Sequence, residues 1–537
     1  MAHMLASTYN GGRMSQKTDR RQILVISALA AILTLIPYLL AARLAPEGTR
    51  FSGFLINPLD GFSYLAKMKE GAEGSWLFTL PYAAQPGPGA LLYIYHLFLG
   101  HVSRWTGLPL LTIYHAARVL GAFGAFVLAY LFLEWAVGDH LAARFAWVLV
   151  LVGSGFGWIT TLFFHHPVSD MLIPESIPFL AVMSNSHFAL ALIGILAVTL
   201  AVAMPELRLR SRILTGAAAG LVLGAVLPFS AVGPAVVLGL WVLKAWFIRE
   251  REARDDGLRS WRDQYLLPYL SFLLMLAPWA VYDLWLSKAH PVLAAWNAQN
   301  QTPSPPPWDY AIGFGVILLL AGFGLLHRET GGRGTRSKLI AWLLAGSVLL
   351  YVPVAFQRRL SMGLFFPLCA LAAYGLLWFR DRGFRLPTLA LIAVALAVPS
   401  NMLVLGASVA GVAGGDRELV HSNGELRAYA WLEENAAPGS LVLASARIGN
   451  RLPAFSDVRV LYGHPFETPD SEETLELVES LFCSPAAKEG LLQLESLGIG
   501  YVFYGPDERQ LGQPAWIAAL EPAYRFEGIE IFRVPEQ

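Results

Sequence analysis

The chain reads as a multi-pass α-helical membrane protein of about 11 spans, followed by a small C-terminal α/β domain. Three observations lead there. The composition is 55% hydrophobic and only 15% charged. Mean hydropathy is +0.50, and apolar runs of near-spanning length recur from residue 23 to about 412 and then stop. Crossing a hydrocarbon core of about 30 Å takes roughly 20 helical residues, and a helix satisfies its own backbone hydrogen bonds in lipid.

Residues 1 to 21 read as a flexible cytoplasmic N-terminus ahead of the first span, 23 to 42. Lys17, Arg20 and Arg21 precede that span and no convincing cleavage site follows it, so it is expected to be an uncleaved anchor. Further spans are expected at 112 to 136, 145 to 164, 179 to 204, 265 to 287, 310 to 326, 339 to 356, 360 to 379 and 387 to 412. The stretch 213 to 248 is too long for one span and is broken by Leu227-Pro228-Phe229, which predicts a hairpin of two helices turning where proline removes a backbone donor.

Basic residues then orient the bundle, because short cytoplasmic loops collect Lys and Arg. With the N-terminus inside, alternation places Arg208, Arg210 and Arg212, the loop 249 to 262, the segment from Arg328 to Lys338, and Arg380, Arg382 and Arg385 on the cytoplasmic side. The outer loops are poor in such residues: 165 to 178 has none and 288 to 309 has only Lys288. Reading 213 to 248 as one span would invert everything after it, so the charges also favour the hairpin.

Against that pattern Gln357-Arg358-Arg359 falls between two spans on the outer face. The pair fits arginines snorkelling to headgroups or paired with an acidic neighbour, and it also fits an anion site whose forked donors grip a phosphate. The large first outer loop, 43 to 111, holds a second cluster, Asn57 to Met68, expected to form a helix at the membrane interface. Asp60, Tyr64 and Lys67 share one face of it. Asp60 reads either as a functional carboxylate or as a helix cap.

His165, His166, Asp170 and Glu175 crowd the second outer loop without a metal-site spacing and read as solvated residues. His187 enters the fourth span within a polar run, fitting a substrate-lining role or an interhelical hydrogen bond. The proline-rich segment 288 to 309 reads as a connector or a lid.

Beyond Ala413-Gly414-Gly415-Asp416 no spanning run remains, and residues 413 to 537 are expected to form an extracytoplasmic α/β domain. Its helices are expected near 425 to 435, 471 to 482 and 486 to 497, and its strands near 440 to 444, 458 to 462 and 500 to 504, with a hairpin around Glu527-Gly528. Gly449-Asn450-Arg451 and Tyr462-Gly463-His464 read as turns or as the border of an acceptor groove. Cys369 and Cys483 suggest no disulfide framework. The formal charge of +0 carries no polyanion-binding signature, so nucleic acid is not an expected partner.

The basic N-terminus, one span, a long outer loop with an early acidic residue, the Gly220 to Ser230 run with its Leu-Pro-Phe-Ser break, and Phe356-Gln357-Arg358-Arg359 leading into Phe366-Pro367 together resemble the GT-C superfamily of integral-membrane glycosyltransferases. The resemblance spans the membrane half and is architectural before it is motif-based. It implies transfer of a sugar from a polyprenyl-phosphate donor to a glycan, lipid or protein acceptor outside the cytoplasm, by inverting displacement. Asp60 would be the general base; Arg358, Arg359 and Lys67 would bind the donor phosphate; Tyr64, Gln357 and His187 would line the substrate site. Asp60 is followed by Gly61 rather than by the second carboxylate that several branches carry, so a divalent metal is not indicated and the branch is unassigned. No Walker loop or dinucleotide fingerprint is present, in keeping with a donor that needs no nucleotide cofactor. A transporter or lipid flippase would favour charges near mid-membrane, and few are found there; a non-catalytic envelope-assembly protein of the same architecture would tolerate loss of Asp60.

Overall fold

The computed structural model describes residues 13–252, 261–327 and 334–535. The segment 1–12 and the greater parts of the basic loops 249–262 and 328–338 lie outside the described residues. The chain divides into two compact units, one of Met1–Pro37, His115–Tyr282 and Thr302–Ala407, the other of Tyr38–Tyr114, Asp283–Gln301 and Ser408–Gln537. The loop 43 to 111 therefore clusters with the chain beyond 408.

Among the described residues eight helices are long and apolar enough to cross a membrane, nine if the bent pair His140–Val152 and Gly157–Phe164 is one span. The hairpin over 213 to 248 is present as Leu209–Val226 and Val232–Glu252, parted by the short 3-10 turn Pro228–Ala231. Four expected spans differ in detail. The run 145 to 164 bends by 42° after Val152, where three glycines in five residues weaken the helix. The amides freed at the bend find the Asp170 carboxylate, which accepts from Gly155 N at 2.9 Å, Gly157 N at 3.2 Å and Ser154 Oγ at 3.0 Å. Asp170 is thus a buried structural carboxylate and not the solvated loop residue expected.

The run 179 to 204 splits at extended Asn185 into Pro178–Ser184 and Ser186–Ala203. The runs 339 to 356 and 360 to 379 shorten to the helices Thr335–Leu349 and Phe365–Arg380, of 15 and 16 residues. Pro353 lacks the donor needed to extend the first, and Gly363 holds a left-handed φ of 93° before the second.

Contacts inside the helical unit sort by the expected sides of the membrane. Among ends expected on one side, Arg380 pairs with Asp139 at 2.7 Å, Lys244 with Ser337 at 2.7 Å, and Arg212 donates to the Asp263 carbonyl at 3.2 Å. Among ends expected on the other, Ser169 N donates to Asp309 at 2.8 Å and Thr302 N to the Ala355 carbonyl at 2.6 Å. The alternation read from the charges is supported by these pairings. Arg212 is itself buried, donating through Nε to the Ala201 carbonyl at 2.6 Å, one of the acceptors left open at the end of Ser186–Ala203. Helices Pro307–Gly324 and Phe365–Arg380 come close enough that a Cβ at Gly324 or Gly375 would strike the other helix's backbone, the small-residue packing on which helices in lipid rely.

The second unit is mixed. Strands β1 (Thr49–Phe51) and β2 (Val420–Ser422) pair antiparallel. Strands β3 (Ser440–Leu443), β4 (Val458–Val460), β5 (Ile499–Tyr504), β6 (Pro522–Phe526) and β7 (Ile529–Arg533) form one sheet in the order β4-β3-β5-β7-β6. The β3 contacts with β4 and β5 are parallel and β5-β7-β6 is antiparallel. The expected strands and the helices Asn423–Asn435, Ser471–Cys483 and Ala487–Ser496 are present. One expectation changes: Gly449-Asn450-Arg451 belong to the buried helix Ala446–Phe455 rather than to a turn or groove rim. The sheet core gathers Leu443, Val502, Phe482 and Trp516, whose indole donates to the Leu481 carbonyl at 3.0 Å.

Helix Pro58–Glu73 is the expected loop helix, but it is enclosed by protein rather than laid on lipid. It packs on Ile94–Thr106 and Ala446–Phe455. Gly71 and Gly100 allow the contact with Ile94–Thr106, for a Cβ at either would overlap the carbonyl of Leu97 or Met68. Gly71→Val should therefore destabilise the protein by about 1–3 kcal/mol, read as a lowered unfolding midpoint in detergent. Gly233→Ala, where a Cβ meets nothing within 4 Å, is the neutral control.

Candidate active site

The second unit places Asp60 at the start of helix Pro58–Glu73. Asn57 occupies the N-cap position in a left-handed conformation (φ 48°, ψ 62°), with Pro58 opening the helix. Asp60 is thus not the cap residue. It lies in the first turn, where the helix dipole favours a carboxylate, and accepts from Asn57 Nδ2 at 2.5 Å.

The other Asp60 oxygen meets a residue 404 positions away: His464 Nε2 lies 3.0 Å from Oδ1. The imidazole is 2% exposed and the carboxylate 30%, so a nearly enclosed ring presents a half-open acid. The backbone sets the ring's tautomer. Phe466 N donates to His464 Nδ1 at 3.1 Å, leaving Nε2 to carry the hydrogen and donate to Asp60. Gly463 N and His464 N both donate to Thr468 Oγ1 at 3.1 Å, fixing the turn that carries the ring. Tyr82 packs so closely on Gly463 that no side chain fits there.

Three residues after His464, Glu467 reaches the same helix face. Lys67 Nζ lies 2.9 Å from both Glu467 oxygens, and Ser63 Oγ donates to Oε1 at 2.7 Å. The ammonium also sits 4.2 Å from the centre of the Tyr93 ring, a cation–π contact in a desolvated setting. Burial would raise the Glu467 carboxyl, but the Lys67 charge and the Ser63 hydrogen bond bring it below its usual value. Lys67 is 1% exposed and paired with Glu467, so its charge is answered inside the unit. Tyr64, one turn from Asp60, stacks on His96 with centroids 4.5 Å apart. Burial first, and then the Asp60 charge, raise its phenol well above the usual value, so it stays a neutral hydroxyl.

The segment 288 to 309 contributes helix Leu293–Gln299, and Gln299 bonds the Thr468 carbonyl of the His464 turn. His290 Nε2 lies 2.8 Å from the Pro88 carbonyl.

In the helical unit Gln357-Arg358-Arg359 open a 3-10 turn, Gln357–Ser361. Gln357 is a strut: its Oε1 accepts from Ser304 N at 3.2 Å and its Nε2 donates to the Val352 carbonyl at 2.8 Å. Arg358 N donates to the Thr302 carbonyl at 3.1 Å, while its side-chain Nε is buried with no hydrogen-bond acceptor among the described residues. The Arg359 guanidinium stands 5.1 Å over Phe229, so the Leu-Pro-Phe-Ser break and the arginine pair meet. His187 is buried at the head of Ser186–Ala203 and packs on Phe188.

The structure thus joins Asp60, Tyr64 and Lys67, as their helical spacing predicts, and adds His464 and Glu467. The Tyr462-Gly463-His464 run drew notice in the sequence as a turn or acceptor-groove border; Glu467 carried no signal. Among the described residues no three His, Cys, Asp or Glu side chains converge as a metal site.

No family model matches the sequence, and no curated protein does. Solved structures do. The oligosaccharyltransferase of Archaeoglobus fulgidus, tethered to an acceptor peptide with an NVT sequon, aligns at TM-score 0.54 and 13% identity over 96% of this chain and 74% of its own. The arabinofuranosyltransferase AftD from Mycobacteria aligns at TM-score 0.53 and 18% identity over 96% of this chain, which spans only 40% of the AftD length. ArnT from Cupriavidus metallidurans, bound to undecaprenyl phosphate, aligns at TM-score 0.52 and 12% identity over 94% of this chain and 97% of its own. All three are GT-C glycosyltransferases. The chain has the GT-C fold, as the resemblance in its sequence implied.

Two outcomes follow for stability. Lys67→Met leaves Glu467 buried and unpaired and should cost about 3–5 kcal/mol, with most of it recovered in Lys67→Met/Glu467→Leu, measured by denaturant unfolding. Burial raises the Glu70 carboxyl from 4.5 to about 7 against hydrogen bonds from Thr79. A raised carboxyl stabilises the fold in its protonated form, so that contribution is complete below the unfolded value and lost as pH rises through about 7. Glu70→Gln should flatten this limb in thermal unfolding.

Proposed function

We propose that the protein is a membrane glycosyltransferase that takes a sugar from a polyprenyl-phosphate donor and passes it to an acceptor hydroxyl or amide outside the cytoplasm. The observation that carries the reading is Asp60: on a GT-C fold, a carboxylate held by two donors, one of them the buried His464 ring, keeps part of its surface open. Undecaprenyl phosphate in the ArnT structure and the acceptor peptide in the oligosaccharyltransferase structure support the two substrate classes. The loop charges support a cytoplasmic N-terminus and an extracytoplasmic second unit.

In the proposed reaction the acceptor oxygen or nitrogen attacks the anomeric carbon as its proton passes to Asp60. The bond to the donor phosphate oxygen breaks, and the electron pair leaves with the lipid phosphate. Arg358 and Arg359 offset the charge that grows there; the buried, unanswered Arg358 Nε favours an anion at that position. Tyr64, Gln357 and His187 serve the substrate site through packing and position, and no nucleotide takes part.

The test is sugar release from a labelled polyprenyl-phosphate-hexose by protein in nanodiscs with a crude envelope acceptor. Asp60→Asn should lower turnover by about 10²–10⁴-fold and Arg358→Ala by about 10²-fold. Folded wild-type protein that turns over no donor, or Asp60→Asn with full activity, would end the proposal.

A further inference from the structure

The two-residue clamp on helix Pro58–Glu73 is more than packing. Two side chains of the run His464-Pro465-Phe466-Glu467 address the same helix face, one at Asp60 and one a further turn along at Ser63 and Lys67. The second contact is a closed ion pair. The first ends on a carboxylate that is 30% exposed, and packing alone gives no reason to aim a buried ring at it.

We propose that His464 is the positioning residue of the Asp60 base: its Nε2–H holds Oδ1, fixes the plane of the carboxylate, and turns its exposed side toward the acceptor's proton. The assignment rests on the reading of Asp60 as general base. Four observations support it. The ring is buried, so its orientation is set by the fold. Phe466 N donates to Nδ1, which selects the tautomer that donates at Nε2. Asn57 Nδ2 holds the second oxygen, so the carboxylate is gripped at both oxygens while it stays 30% exposed. The turn carrying His464 is itself pinned by Thr468 and by Gln299. A base whose lone pairs point at the reacting proton in advance has less reorganisation to undergo in the transition state.

The same hydrogen bond favours the ionised carboxylate, so its loss should appear in the pH profile as well as in rate. The titratable groups around Asp60 are Tyr64 and Lys67 on its own helix, Tyr82, Tyr93 and Tyr114 from the neighbouring segments, and His464 and Glu467. Lys67 and Glu467 neutralise each other, and burial keeps Tyr64 and Tyr82 as phenols, which leaves His464 as the partner whose removal Asp60 feels.

His464→Gln retains a donor near the place of Nε2, whereas His464→Asn is too short to reach Asp60; both are polar and similar in bulk. Turnover of labelled polyprenyl-phosphate-hexose is measured across pH for wild type, both variants and Asp60→Asn, each normalised to folded protein by gel filtration. The expected result is His464→Gln within about fivefold of wild-type kcat. His464→Asn should lose about 30-fold in kcat with the donor KM unchanged, and its acidic limb should move up by about one pH unit. Equal activities in the two variants, or a wild-type acidic limb in His464→Asn, overturns the positioning role. Full activity in Asp60→Asn instead overturns the base itself, a result distinct from either.

Discussion

The second unit is organised around one buried ion pair. Lys67 and Glu467 are both almost wholly removed from water, and taking two charges out of solvent costs several kcal/mol per ion unless geometry and added hydrogen bonds repay it. Here the repayment is visible: Glu467 takes the ammonium on both oxygens and the Ser63 hydroxyl on one, and aromatic rings of Tyr93, Phe78 and Tyr64 surround the Lys67 charge. Such a pair tolerates few alternative arrangements. It fixes the register of helix Pro58–Glu73 against the His464 turn, and that register decides what Asp60 faces. The proposed chemistry is thus set by an electrostatic requirement about two helical turns away from it.

The helical unit meets a related requirement differently. Bends and ends of spans leave backbone donors and acceptors where lipid offers no partner, and three of them have a built-in answer. Asp170 serves the bend after Val152, Arg212 serves the end of Ser186–Ala203, and Gln357 ties the turn before Phe365–Arg380 to Ser304 and Val352. Polar residues that look functional by their rarity in an apolar chain are here partly structural. Arg358 differs from these three in that its Nε is buried with no hydrogen-bond acceptor among the described residues.

What was legible in the sequence follows from range. Apolar runs, the Leu227-Pro228 break and the strand pattern beyond 440 are local signals, and all correspond to elements in the structure. Asp60, Tyr64 and Lys67 share a face because helical spacing requires it. The bend in 145 to 164 was hidden because hydropathy averages over glycines, and the shortened pair of spans because one proline weighs little in a long apolar window. Helix Pro58–Glu73 misled for another reason: an amphipathic helix meant for a protein surface and one meant for a membrane interface carry the same periodicity. His464, Glu467 and the pairing of β1 with β2 were out of reach, since periodicity names no partner hundreds of residues away.

That distance has a consequence for biosynthesis. Asp60 and His464 are separated by 404 residues, and the intervening chain contains nearly all the spans. At about 5–20 residues per second, roughly 20–80 s pass between synthesis of the carboxylate and synthesis of the imidazole that meets it. During that interval helix Pro58–Glu73 has neither its ion-pair partner nor the strand that closes on Thr49–Phe51. Most of the spans are therefore synthesised while this contact is unmade, and in a prematurely terminated chain Asp60 has no His464 to hold it.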